Sequence, residues 1–333
     1  MVAINLRPSG RQPGGTESVR RAESVRLGSL LVAPTMLVLA VVIAYPMLAA
    51  VRQSLFGQEG VDPETGFVSD TEPFVGFDNY AAIFTEAGGR FWNAFYNTAF
   101  LTVTSVALET ALGIGMALIM HQALRGRALI RASILVPWAI PTAIVALLWR
   151  WIFNADGVAN AILPGKVLWT TEGFHAKLAV IFAEVWKTAP FIGLLVLAGL
   201  QLIPKETYEA AKVDGAGAWR RFFSITLPLV KPALLVAVLF RILDSLRMFD
   251  MPYVLIGSRK SSVETLSMLA HDEAMNVRFG PGAAYAVLLF LFVFLVAFTF
   301  VKVLGADVVG DAAPATSRKA RRKARKPQEV SSS

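Results

Sequence analysis

The chain has 333 residues, 55% of them hydrophobic and only 17% charged, with 32 Lys+Arg against 24 Asp+Glu for a formal net charge of +8. Soluble globular chains carry about 25% charge, so a water-soluble fold over the whole length is excluded. The absence of cysteine excludes disulfides and thiolate metal sites, and His121, His175 and His271 are too scattered to form a metal centre.

Six stretches, near 28–51, 95–120, 132–153, 177–202, 233–256 and 283–304, are apolar over the length of about 20 residues that a bilayer requires. They predict an all-α membrane protein of six transmembrane helices. Arg20, Arg21 and Arg26 precede the first stretch as in a secretory leader. Its apolar core is too long for one and no A-x-A site follows cleanly, so it is expected to be an uncleaved anchor. The chain then divides into an N-terminal segment 1–27, a membrane domain 28–304 and a tail 305–333. The tail has little apolar content and ends in Ser331–Ser333, which predicts disorder.

Charge alternates between the links. Arg7, Arg11, Arg20, Arg21 and Arg26 precede span 1; Arg125, Arg127 and Arg131 follow span 2; Lys205, Lys212, Arg220, Arg221 and Lys231 follow span 4; the tail holds Arg318, Lys319, Arg321, Arg322, Lys323, Arg325 and Lys326. The link between spans 1 and 2 is acidic (Glu59, Asp62, Glu64, Asp70, Glu72, Asp78, Glu86). The positive-inside rule then places both termini in the cytoplasm of a multi-pass inner-membrane protein. The basic tail is suited to anionic lipid, and no nucleic-acid partner is expected.

No phosphate-binding loop, G-x-S-x-G or H-E-x-x-H occurs, so no catalytic residues are expected. Active transport would draw its energy from a partner or an ion gradient.

The link over 203–232 is the most informative segment. Pro204 suits a first helical turn, Glu206 and Glu209 lie near its positive end, and Ala210 and Ala211 favour helix. Gly215 can adopt the left-handed geometry that stops it. A second short helix can follow until Pro228. This order resembles the EAA loop of binding-protein-dependent ABC importer permeases, which docks in a groove of the ATPase subunit. The matching positions are Glu209, Ala210, Ala211, Asp214, Gly215, Ala216, Phe222, Ile225, Leu227, Pro228 and Pro232. Phe74–Tyr80, Phe91–Thr98, Pro137–Pro141 and Trp186–Phe191 resemble the same family in order, and the likeness runs from about residue 28 to 304.

The resemblance implies a type I ABC importer permease-like bundle, a transport subunit rather than an enzyme. It implies no cofactor in this chain, ATP and Mg being bound by the partner ATPase. The implied partners are a second permease in a heterodimer, two copies of the ATPase, an extracytoplasmic solute-binding protein and membrane lipid. Within the family the chain is similar to the carbohydrate-import branch, which implies a sugar, such as the disaccharide trehalose. It lacks the two extra N-terminal spans and large periplasmic insertion of the maltose permease. Glycerol phosphate or another small polar solute stays open. So does a stand-alone secondary transporter, although that class has no ATPase to grip.

Ionisable groups at span centres cost about 2.5–3.5 kcal/mol each. The fifth stretch nonetheless contains Arg241, Asp244, Arg247 and Asp250, which must be paired or wet; spacings of three allow pairing along a helix. At about 100° per residue, Arg241, Asp244, Ser245 and Met248 share one arc, with Arg247 and Asp250 on the opposite flank. On the fourth stretch Glu184, Lys187, Thr188 and Phe191 share an arc, and Pro190 can kink the helix. The resemblance places solute contacts on these two spans. Either the two arcs line a translocation path or they are salt bridges holding the bundle together. Glu109 and Arg150 have weaker claims, since Arg150 can snorkel to the interface. Glu184 and Asp244 beside Lys187 and Arg241 argue for a near-neutral site, hence a sugar.

Overall fold

The computed structural model describes residues 14–57, 73–122 and 125–311. Its regular structure there is helical, apart from an isolated bridge between Phe56 and Phe74. Most of the acidic link (Glu59 to Glu72) and the basic cluster 318–326 lie outside the described residues.

Residues 1–53 and 54–333 form separate compact units. In the first, α1 (Gly14–Leu39) runs through a π turn (Ala40–Ala44) into α2 (Tyr45–Gln53). Within Gly28–Gln53 an 18-residue stretch has a mean hydropathy of 2.2, and none of that stretch is buried within the chain. A rod that is apolar all round is stable only in lipid or against another protein.

The second unit opens with α3 (Asp78–Thr85) and the 34-residue α4 (Gly88–His121). The third stretch is not one straight helix. It is divided into α5 (Arg127–Ala139) and α6 (Thr142–Ile152), which meet at 94°. The break falls at Ile140–Pro141: a residue before proline is forced out of the helical region, and Ile140 sits at φ −79, ψ 135. After the short α7 (Val158–Ala161) comes α8 (Phe174–Gln201), which runs through Pro190 as one helix and is the central strut of the unit. The close crossing of α4 on α8 requires glycine: a Cβ on Gly113 would lie 2.7 Å from Ile192 Cβ.

The fifth span differs most from expectation. After α9 (Lys205–Val213), α10 (Ala218–Arg221) passes through a π turn (Phe222–Thr226) into α11 (Leu227–Ser245). The membrane helix is therefore Ala218–Ser245 rather than 233–256, and the expected second short helix is its first turns. A proline ring clashes with the carbonyl four residues back. The wider π turn over Ser224 moves that carbonyl out of the way of Pro228, so the helix continues past the proline that was expected to end it. At the other end, Arg247 N–H bonds the Asp244 carbonyl at 3.2 Å and Met248 N–H the Ser245 carbonyl at 3.1 Å, tight turns that close the helix. Asp250 begins a different helix, α12 (Asp250–Leu255). α13 (Leu266–Met275) and the last span, α14 (Phe279–Asp311), follow. Residues 305–311 of the expected disordered tail are thus helical, and 312–333 lie outside the described residues.

Three apolar clusters hold the unit. Leu101, Val145, Val180, Met251 and Leu255 join α4, α6, α8 and α12. Ala117, Met120, Ile192, Leu200, Val230 and Ala237 join α4, α8 and α11 near the α9 end. Phe91, Leu269 and Tyr285 tie α13 and α14 to the start of α4.

Candidate functional site

Between the apolar clusters, α4, α8 and α11 meet on charge. Arg241 on α11 is 3% exposed. Its Nε donates to Glu109 Oε2 at 2.7 Å, its Nη2 to Glu109 Oε1 at 3.1 Å and Glu184 Oε1 at 2.9 Å, and its Nη1 to Asp244 Oδ2 at 2.5 Å. The Thr188 hydroxyl, with one hydrogen, sits 2.7 Å from Glu109 Oε1 and 2.6 Å from the Glu184 carbonyl. One guanidinium thus serves three carboxylates from three helices. Buried charge is tolerable only when so paired and hydrogen-bonded.

One side of this network opens into a cavity of about 530 Å³. Lys187, Thr188, Arg241, Asp244 and Arg247 form its polar part, and Trp138, Phe191, Phe240 and Phe290 its walls. Trp138 and Phe191 are ring neighbours at 5.7 Å. Lys187, Thr188, Phe191, Arg241 and Asp244 therefore come together as the arcs predict, with Glu184 behind Arg241. Ser245 and Met248 do not line the cavity. The Ser245 hydroxyl is buried without a partner, and Met248, past the end of α11, packs into the α4–α6–α8–α12 cluster. Arg247 faces the cavity instead of the opposite flank, because the tight turn after Ser245 swings it to 3.7 Å from Asp244. Glu109 is fully buried and ties Arg241 to Thr188. A carboxylate in mid-span is itself the signal that identifies it.

At the end of the bundle carrying α9, Gly215 has φ +73, the left-handed turn expected there. Gly215 N–H bonds the Lys212 carbonyl at 3.0 Å and Ala216 N–H the Ala211 carbonyl at 2.9 Å, which closes α9. Ala211 is buried, Ala216 half-buried, and Glu209, Ala210, Asp214 and Gly215 are exposed. The loop thus presents two carboxylates and two small residues outward and anchors its other face through Ala211 and Ala216.

At the opposite end a charged clasp fastens α4 to α13. Arg90 donates to Glu264 Oε1 at 2.6 Å and Asp272 Oδ2 at 2.8 Å, and Arg259 donates to Asp272 Oδ1 at 3.0 Å. Burial pushes the Asp272 carboxyl up, but the hydrogen bonds from Arg90 and Arg259 outweigh it and hold it below the usual carboxylate range. Asn97 Nδ2 adds bonds to the Ser261 and Glu264 carbonyls at 2.8 and 3.0 Å.

With this geometry in hand, the comparisons with known proteins agree. Residues 109–308 match the family model for the inner membrane component of binding-protein-dependent transport systems. The trehalose/maltose transport system permease protein MalF of Thermococcus litoralis is 39% identical over 284 residues, covering 84% of this chain and 93% of that protein. The trehalose transport system permease protein SugA of Mycobacterium tuberculosis is 39% identical over 290 residues, covering 86% and 91%. In solved structures, a chain of a bacterial ABC transporter that imports the acidic polysaccharide alginate superposes with a TM-score of 0.70 at 22% identity, covering 86% of this chain and 99% of that one. This last likeness shows the shared fold.

Proposed function

The chain belongs to the inner-membrane components of binding-protein-dependent transport systems, and from that premise we propose that it translocates a neutral sugar, a disaccharide such as trehalose, through the cavity between α8 and α11. It is a multi-pass transport subunit, not an enzyme. The observation that carries the sugar reading is the cavity's make-up. Aromatic faces surround a polar patch of Lys187, Arg241, Arg247 and Asp244, and Glu109 and Glu184, paired with Arg241 behind the wall, bring the cluster to three cations and three carboxylates. A charge-balanced site with ring-stacking walls suits a polyhydroxylated ring better than a phosphorylated solute, and the names of the two curated relatives point the same way.

In this reading the exposed face of α9 and its Gly215 turn dock on the ATPase, with Glu209, Ala210, Ala211, Asp214, Gly215 and Ala216 as the coupling element. The assembly contains a second permease, two ATPase copies that bind ATP and Mg, and a solute receptor on the side of the Arg90–Asp272 clasp. Both termini are cytoplasmic. Lys187 and Asp244 make the polar contacts to cargo and Phe191 offers a ring face. Arg241, spent on three carboxylates, and Thr188, turned to Glu109, hold the wall in place. The test is uptake by the assembled complex and its receptor in vesicles, comparing trehalose, maltose and glycerol phosphate. Trehalose or maltose uptake that drives ATP hydrolysis supports the reading. Uptake of glycerol phosphate alone would overturn the sugar assignment.

A further inference from the structure

A second cavity, of about 710 Å³, opens where the last residues of α4 and α8 meet the α9–α10 turn. Its floor is apolar, formed by Leu118, Leu200 and Phe222. Its rim carries His121, Lys212 and Arg221, and no carboxylate lines it. Among the described residues, neither the His121 nor the Lys212 side chain has a hydrogen-bond or ion-pair partner. Arg221 donates from Nη1 to the Ala216 carbonyl at 2.8 Å and, among the described residues, has no ion pair. Beside the opening, Trp219 is 76% exposed and stacks on the exposed Phe223 at 6.0 Å.

Cations at the end of a spanning helix pair, over an apolar floor and next to exposed indole and phenyl rings, are the chemistry of a membrane interface meeting a negatively charged amphiphile. We propose that this cavity binds an anionic phospholipid, its phosphate between Lys212 and Arg221 and the start of an acyl chain over Leu118 and Phe222. The apolar floor favours a lipid over a free anion, which gains nothing from it. Glu209 and Ala210, on the exposed face of α9, do not line the cavity, so lipid and ATPase can be accommodated together. The site goes beyond the sugar reading and does not depend on it. Its consequence does: a lipid wedged under α9 makes coupling sensitive to the anionic content of the membrane.

The test uses the assembled complex in phosphatidylcholine nanodiscs carrying a trace of a photoactivatable lipid, phosphatidylglycerol in one sample and phosphatidylcholine in the other. The phosphatidylglycerol probe should label peptides within 115–122 and 218–226 several-fold more than the phosphatidylcholine probe. Lys212→Gln should lower that labelling several-fold, and Arg221→Gln serves the same purpose if Lys212→Gln does not assemble. Equal labelling by the two probes, or no change in either variant, would overturn the proposal. Displacement of the label by millimolar inorganic phosphate would show a free-anion site instead. Labelling seen only without the ATPase would assign the cavity to the subunit interface.

Discussion

A guanidinium that bridges Glu109, Glu184 and Asp244 is stable only as part of a set, and each member's removal leaves a different orphan. Glu109→Ala deletes two of Arg241's bonds and one of the two acceptors within reach of the Thr188 hydroxyl, and breaking a buried pair costs about 3–5 kcal/mol. Glu109→Gln keeps a carbonyl acceptor in place and should cost less. The expected order of thermal stability for the detergent-purified complex is wild type, then Glu109→Gln, then Glu109→Ala. Equal stability of all three would show that Glu109 bears no load. Thr188→Val removes a hydrogen bond to a charged group, worth about 1.5–3 kcal/mol. Its effect should appear as a lowered melting temperature with little change in the sugar concentration for half-maximal uptake. A large shift in that concentration at unchanged stability would make Thr188 a cargo contact.

Among the elements, the α9–α10 turn admits the sharpest test. Gly215 sits at φ +73, where a β-branched residue is strained by about 1–3 kcal/mol. Gly215→Val should therefore distort the turn, while Glu209→Lys reverses an exposed charge that has no ion-pair partner among the described residues. Both variants should reach the membrane with normal amounts of protein and lose transport. Full uptake in both, measured with labelled sugar, would reduce α9 to a connector. The turn was legible in the sequence because a glycine after an alanine-rich helix has few other uses, and so were the apolar spans. The boundaries of the fifth span were not, since Pro228 and Pro232 read as stops and a π turn that absorbs one of them leaves no mark in composition. The bend at Pro141 was likewise hidden, because the apolar run continues through it. At the site, periodicity brought Lys187, Thr188, Arg241 and Asp244 together correctly. It failed for Arg247 and Met248, because the arc was extrapolated beyond the last turn of α11. Glu109 was underweighted because it stands alone on its own helix and its partners come from two others.

For the whole molecule, the orientation proposed from the basic links is checked by a reporter active only outside the cytoplasm. Fused at Thr85, the last residue of α3, it should be active; fused at Ser317 it should be silent. The reverse pattern would turn the molecule over and move α9 away from any cytoplasmic ATPase. The continuity of Ala218–Ser245 through its π turn also has a mechanical meaning. Arg241 lies 23 residues from Ala218, about 35 Å along a helix. Gly215 and Gly217 immediately precede one end of that helix, and in the proposed coupling they would serve as its fulcrum. A swing of about 10° there carries the guanidinium some ~6 Å on a rigid rod of this length. Glu109 and Glu184 tether Arg241 to two other helices, so a stroke delivered at the loop by the proposed ATPase would either drag three helices together or unlatch the guanidinium.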